Sequence, residues 1–153
     1  MEPLVDAVQT EVASTKKCSN LMTGDQTFMH RHELEFEQTR TTILIGRGLI
    51  GRAHELLVAD AGLDPDQRIY LAIDAGPDRI VADRHGRLFE AALGEQVGVA
   101  RGVFEAVESA KSMESVEQIW DDLLEAGMNR RGLLVGLGGG IVCDVAGFAA
   151  SGW

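Results

Sequence analysis

The sequence predicts an α/β chain built on a parallel sheet flanked by helices. Three observations carry that expectation. From Thr41 onward, strand-like and helix-like segments alternate with short connections, as βα units do. The strand-like segments, such as Ile69-Tyr70-Leu71-Ala72-Ile73, are nearly continuous in apolar character, which suits strands covered on both faces. Glycine-rich turns stand where a strand feeds a helix, at Gly46 to Gly51 and at Gly138-Gly139-Gly140.

Residues 1–31 read as an N-terminal extension open to disorder, and residues 32–153 as the folded domain. Leu4, Val5, Val8 and Val12 have the spacing of a short amphipathic helix, and Ser14 to Arg31 is polar without a sustained period. His30 and His32 form a His-x-His pair beside Glu33; a metal site there needs a third ligand and a folded frame, and a mobile polar segment is the plainer reading. Leu34 and Phe36 alternate with Glu33, Glu35 and Glu37, which predicts a half-exposed strand able to pair back on the next one as a hairpin through Gln38 to Arg40.

Thr42 to Ile45 reads as a buried strand, and Ile50 to Ala61 as a helix stopping at Gly62. Arg68 to Asp74 is the second strand of the parallel set, Asp78 to Leu93 a less regular helix broken near Gly86, and Val97 to Phe104 the third strand. Met113 to Ala126 has the strongest helical pattern: Val116, Ile119, Trp120, Leu123 and Leu124 share one face, with Ser112 as N-cap and Gly127 as terminator. Gly132 to Leu137 is the fourth strand, and a last helix opens at Ile141. The expected order is βαβαβαβ in one sheet, with both glycine loops at carboxyl ends of strands.

Composition narrows the function. The chain has 153 residues, is 45% apolar and carries a formal net charge of −10. That charge argues against nucleic acid, which demands clustered Lys and Arg; Lys16-Lys17 and Arg130-Arg131 are too small to reverse it. Cys18 and Cys143 lie far apart in no metal-ligand spacing, which suits a reduced, cytoplasmic setting. The start Met1-Glu2-Pro3 lacks the basic and apolar regions of a secretory leader, and no apolar run approaches the ~18 residues that read as a membrane span.

The two glycine loops carry the chemistry. Gly46-Arg47-Gly48-Leu49-Ile50-Gly51 matches G-x-G-x-x-G, and Asp74 ends the next strand, about 20 residues on, where a ribose-binding carboxylate belongs. A tight turn that needs glycine's backbone freedom explains the same residues. Gly138-Gly139-Gly140 directly precedes a helix, so its backbone N–H groups suit an anion such as a pyrophosphate. Asp144, in the first turn of that helix, either complements the helix dipole or accepts hydrogen bonds from ribose or substrate hydroxyls.

A longer pattern brings a resemblance. Glu108-Ser109-Ala110-Lys111-Ser112 is followed by a helix, by Asn129-Arg130-Arg131, and by Gly138-Gly139-Gly140-Ile141-Val142-Cys143-Asp144-Val145-Ala146-Gly147-Phe148-Ala149-Ala150. This resembles the E-x-x-K-S and GGG-x-x-x-D-x-x-GFxA pattern of the 3-dehydroquinate synthase family, and the likeness extends in order from about Glu33 to Trp153. It implies the Rossmann-like, NAD-binding N-terminal half of a two-domain sugar-phosphate cyclase, homodimeric at full length. The family converts 3-deoxy-arabino-heptulosonate 7-phosphate to 3-dehydroquinate and phosphate in the shikimate pathway, through transient oxidation by NAD. For this sequence the resemblance implies that Asp74 binds adenosine ribose hydroxyls, Glu108 and Lys111 contact the nucleotide, Gly139 and Gly140 cradle the pyrophosphate, and Asp144 contacts the nicotinamide side. An exposed ion pair is the plainer role for Glu108 and Lys111.

Three positions depart from the family pattern: Val107 for glycine, Asn129 for aspartate, and Cys143 for glycine or threonine. The first two are expected to alter geometry near the cofactor. The doubled Arg130-Arg131 is similar to cyclases that use sedoheptulose 7-phosphate, which stay an alternative, as does a non-catalytic nucleotide-binding or dimerisation module. The resemblance also places the divalent metal, zinc or cobalt, and the catalytic groups in a C-terminal domain. No catalytic residue and no metal ligand is therefore expected within these 153 residues, and the chain on its own is expected to be inactive.

Overall fold

The structure, a computed structural model, describes residues 17–22, 28–35, 40–76, 81–95 and 97–153. The proposed helix around Leu4 to Val12, and Phe36, lie outside them. The chain divides into two compact units, one ending at Gly48 and one spanning Leu49–Trp153.

Among the described residues of the first unit, three antiparallel strands pair in the order β1 (Lys17–Met22), β2 (Phe28–Glu35) and β3 (Arg40–Gly46). The expected hairpin is present: Glu35 pairs with Arg40 and Met29 with Gly46. The stretch Ser14 to Arg31, polar without a sustained period, supplies β1 and the first part of β2. Strand pairing satisfies backbone groups whatever the side chains, so a polar strand leaves little trace in hydrophobic period. The segment Thr42 to Ile45 belongs to this antiparallel sheet, not to the parallel one. Its apolar run is not doubly covered: Ile43 is 43% and Ile45 56% exposed.

The second unit is the α/β body, whose described residues form a parallel sheet of three strands rather than four. Its order is β5 (Val99–Phe104), β4 (Ile69–Asp74), β6 (Leu133–Leu137). β4 is the central strand, paired in register with both neighbours: Ala72 faces Gly102 on one side and Gly136 on the other. Its apolar run is explained by two cores. Ile69, Leu71 and Ile73 pack with Ala53, Leu63, Ala82, Phe89 and Leu93, while Tyr70 and Ala72 pack with Val116, Ile119, Leu123, Val142, Val145 and Ala149. Alternate side chains of a strand point to opposite faces, so β4 is buried from both sides, and Ile69 to Ile73 are at most 1% exposed.

The helices divide between those faces. A continuous helical stretch winds tightly over Leu49–Arg52, regularly in α1 (Ala53–Leu56) and widely over Leu57–Ala61, and ends on left-handed Gly62. A wide turn over Val81–Gly86 runs into α2 (Arg87–Leu93) without a break at Gly86. α3 (Met113–Glu125) begins where Ser112 accepts a hydrogen bond from the Ser115 N–H at 3.4 Å, and Gly127 follows it at φ 61°. α4 (Gly140–Gly152) opens directly from the glycine loop. Among the described residues no helix is long and apolar enough to cross a membrane.

Candidate functional site

Helices cover both faces of the sheet, so its carboxyl edge is where loops from different strands meet. Asp74 ends β4, the Glu108–Ala110 turn and Lys111 follow β5, and Gly138 to Gly140 follow β6. All six expected site residues therefore stand at carboxyl ends of the three parallel strands or in the helix that leaves them.

Two contacts tie these loops together. Asp74 Oδ1 accepts the Gly76 N–H at 2.7 Å and, more weakly, the Ala106 N–H at 3.4 Å, joining the loops after β4 and β5. Lys111 Nζ lies 3.1 Å from Glu108 Oε1 and 3.1 Å from Asp144 Oδ2, joining the turn after β5 to the start of α4. Hydrogen bonding to Asp144 and then to Glu108 raises the Lys111 ammonium above its ordinary value, so it stays charged.

The three loop glycines separate into two kinds. A Cβ on Gly138 would lie 2.8 Å from Asp74 Cβ and 2.8 Å from Val142 Cγ2, so this glycine is demanded by close packing of β4 against α4. A Cβ on Gly139 or on Gly140 would meet nothing within 4 Å, and Gly139 has an extended backbone (φ −79°, ψ −172°) open to any residue. The fold itself does not require glycine at either position. Open space above two glycines at the N-terminus of a 13-residue helix fits the approach of a phosphate group to backbone N–H donors.

Beside this cluster lies a cavity of about 330 Å³ lined by Lys111, Ser112, Met113, Val116, Asp144 and Phe148. Its polar rim is the Lys111–Asp144 pair; its floor is apolar. Sequence reasoning picked out the rim but not Met113 and Phe148, which are 50% and 57% exposed. Their departure from full burial was the available signal, and it needs a structure to be seen.

Other expectations change. Gly46 to Gly51 leaves an antiparallel strand, so the fingerprint's premise, a parallel strand beside that of Asp74, is not met. Gly48, at φ 70°, fits the tight-turn alternative. Asn129 lies before β6, at the amino end of the sheet, where its Oδ1 accepts the Arg131 N–H at 2.9 Å. Arg131 there pairs with Asp64 at 3.0 Å. That departure is thus remote from the glycine loop, whereas Val107 does adjoin Glu108 and its carbonyl accepts the Ala110 N–H at 2.8 Å.

Comparison with known proteins gives this cluster a lineage. The family model described as 3-dehydroquinate synthase N-terminal matches residues 102–153, the stretch from β5 through the glycine loop to the end of α4. A 3-dehydroquinate synthase of Nitrobacter hamburgensis (strain DSM 10229 / NCIMB 13809 / X14) is 37% identical over 110 residues, covering 71% of this chain and 27% of the relative. The chain belongs to the 3-dehydroquinate synthase family. A 2-epi-valiolone synthase of Stigmatella aurantiaca (strain DW4/3-1) is 31% identical over 135 residues, covering 84% of this chain and 30% of that protein. The chain thus spans about 30% of the length of the curated relatives it matches. A crystal structure of 2-deoxy-scyllo-inosose synthase complexed with carbaglucose-6-phosphate, NAD+ and Co2+ matches with a TM-score of 0.60 at 20% identity, covering 79% of this chain and 31% of that one. At that identity the likeness speaks for the fold.

Proposed function

We propose that this chain forms the NAD-binding part of a 3-dehydroquinate synthase. The observation that carries the reading is the Lys111 ammonium held between Glu108 and Asp144, beside two glycines whose Cβ positions are open. Each group has a chemical task. The N–H groups of Gly139 and Gly140 face the pyrophosphate, where a helix N-terminus favours an anion. Asp74 and Glu108 accept from ribose hydroxyls, since a carboxylate would repel phosphate. Lys111 donates to ribose or phosphate, and its positive charge offsets one of the two carboxylates around it. Asp144 accepts on the nicotinamide side. The apolar floor of Met113, Val116 and Phe148 excludes water from one side of the site.

NAD, when bound, supplies a reversible hydride acceptor. The substrate in this reading is 3-deoxy-arabino-heptulosonate 7-phosphate, and the divalent metal, zinc or cobalt, is held by a part of the full-length enzyme that these residues do not span. The whole enzyme is soluble, cytoplasmic and homodimeric in this reading. A second reading is a cyclase acting on sedoheptulose 7-phosphate. The observation behind it is a likeness to a differently named relative, the 2-epi-valiolone synthase, which covers 84% of the chain. The nucleotide cluster serves either substrate equally, because its residues address the cofactor.

Isothermal calorimetry tests the shared part of both readings. The chain is expected to bind NAD weakly, with only part of the cofactor enclosed, and Gly139→Ala to remove that binding. Equal binding by parent and variant would overturn the assignment.

A further inference from the structure

The nucleotide cluster uses one end of the parallel sheet. At the other end, the loops entering β4 and β6 enclose a cavity of about 490 Å³, whose charged and amide groups are Asp64, Asp66, Gln67, Arg68, Asn129 and Arg131. None of these belongs to the nucleotide cluster. β4 runs from Ile69 to Asp74, about 17 Å at the usual rise of a strand, so a separate ligand has room here. The volume falls in the range of small-molecule sites, about 300–1,000 Å³.

Hydrogen bonds fix the frame. Gln67 clips the two loops together: its Oε1 accepts the Asp64 N–H at 3.1 Å, and its Nε2 donates to the Arg131 carbonyl. The Arg68 carbonyl accepts the Leu133 N–H at 2.9 Å. Gly127, at φ 61°, forms part of the wall, and a Cβ there would stand 3.4 Å from Arg68 Nη1.

Charges in the cavity cancel in sum but not pair by pair. Arg131 Nη2 meets Asp64 Oδ2 at 3.0 Å. Arg68 donates from Nη1 to the Ala126 carbonyl, a neutral group, and among the described residues no carboxylate pairs with it. Its Nε and Nη2 remain, the edge that gives a carboxylate two parallel N–H donors. Asp66 has no hydrogen-bonding or ion-pair partner among the described residues. Asn129 Oδ1 accepts the Arg131 N–H at 2.9 Å, which leaves its amide nitrogen as a donor.

A simple anion would be drawn to Arg68 and repelled by Asp66, and a simple cation the reverse. A molecule that carries both charges satisfies each. We propose that this cavity binds a free α-amino acid, with its carboxylate on the Arg68 guanidinium and the Asn129 amide, and its ammonium on Asp66.

Nuclear magnetic resonance on the isotope-labelled 153-residue chain, titrated with each of the common L-amino acids, tests this. At least one should shift the amides of Arg68, Gly127 and Gly132 saturably. The same compound without its ammonium, or without its carboxylate, should bind at least about tenfold more weakly, since each lacks one charge-assisted contact. Arg68→Gln and Asp66→Asn alter exposed side chains; they should fold like the parent and weaken binding by a similar factor. The proposal is overturned if no amino acid gives a saturable shift at these amides, if either single-charge analogue binds as tightly as the amino acid, or if either variant binds like the parent.

Discussion

Lys111 and Asp144, far apart in the chain, meet at 3.1 Å and join the loop after β5 to α4 just beyond its first turn, not within it as the sequence suggested. Both side chains are largely open to water, with 38% and 64% relative exposure, and such pairs add little to stability. The arrangement therefore predicts a separation of effects. Lys111→Met should leave the thermal midpoint unchanged while weakening NAD binding by about tenfold, the loss of one charge-assisted hydrogen bond. Calorimetry and thermal unfolding on the same samples decide it; an unchanged NAD affinity refutes the role.

The glycine loop predicts opposite outcomes for adjacent residues. Gly138→Ala must push Asp74 and Val142 apart and should cost about 1–3 kcal/mol of folding stability, as overpacking does. Gly139→Ala meets nothing within 4 Å, so it should unfold like the parent in urea yet lose NAD binding. Equal destabilisation by both variants would contradict the division of the loop.

Asp74 is expected to act in two ways that substitution can part. Asp74→Asn keeps an oxygen for the Gly76 N–H and should fold normally. Asp74→Ala removes that acceptor and should lose about 0.5–1.5 kcal/mol. Both should weaken NAD binding if the carboxylate meets ribose hydroxyls. Normal NAD affinity in Asp74→Asn would leave it a loop-tying residue alone.

The chain's single tyrosine gives a pH prediction. Tyr70 donates to Asp122 Oδ2 at 2.5 Å, and burial, then the hydrogen bond to Asp122, push its phenol well above the ordinary value. In the unfolded chain the phenol ionises near pH ~10, so between that value and the folded one the native state holds the extra proton. Stability should be insensitive to this group below pH ~10 and fall as pH rises beyond it. Tyrosinate absorbance should appear only as circular dichroism is lost; tyrosinate in a fully folded chain near pH ~10 would be the contrary result. A Cβ on Gly102 would fall onto this same hydroxyl, so Gly102→Ala should destabilise by about 1–3 kcal/mol.

Activity is predicted to need more than this stretch. The chain covers about 30% of its curated relatives, and residues 1–153 with NAD and Co2+ or Zn2+ should release no phosphate from 3-deoxy-arabino-heptulosonate 7-phosphate. Phosphate release above the metal-only control would overturn this.

How far the sequence revealed the molecule depended on which physical signal each part leaves. β4 was legible because burial on two faces writes an unbroken apolar run, and α3 because its buried face recurs with helical period. The glycine loop and Asp144 were legible as a motif. Thr42 to Ile45 misled, because an apolar run does not say whether a neighbour is parallel or antiparallel; that depends on partners elsewhere in the chain. β1 was invisible for lack of apolar alternation. The two roles within Gly138 to Gly140 were equally hidden, since identical residues carry no mark of what lies above them.

The indole of Trp120 donates to the Ala149 carbonyl at 3.0 Å, linking α3 to the last turns of α4. Its ring also lies where a Cβ on Gly152 would fall, 2.7 Å from Cζ2. The glycine loop is at the other end of that same helix. The molecule thus carries a built-in optical gauge: a shift of α4 on its axis changes the polarity and hydrogen bonding around a fluorophore, so in a Trp153→Phe background, which removes the chain's other tryptophan, emission from Trp120 can report events at the loop without an added dye.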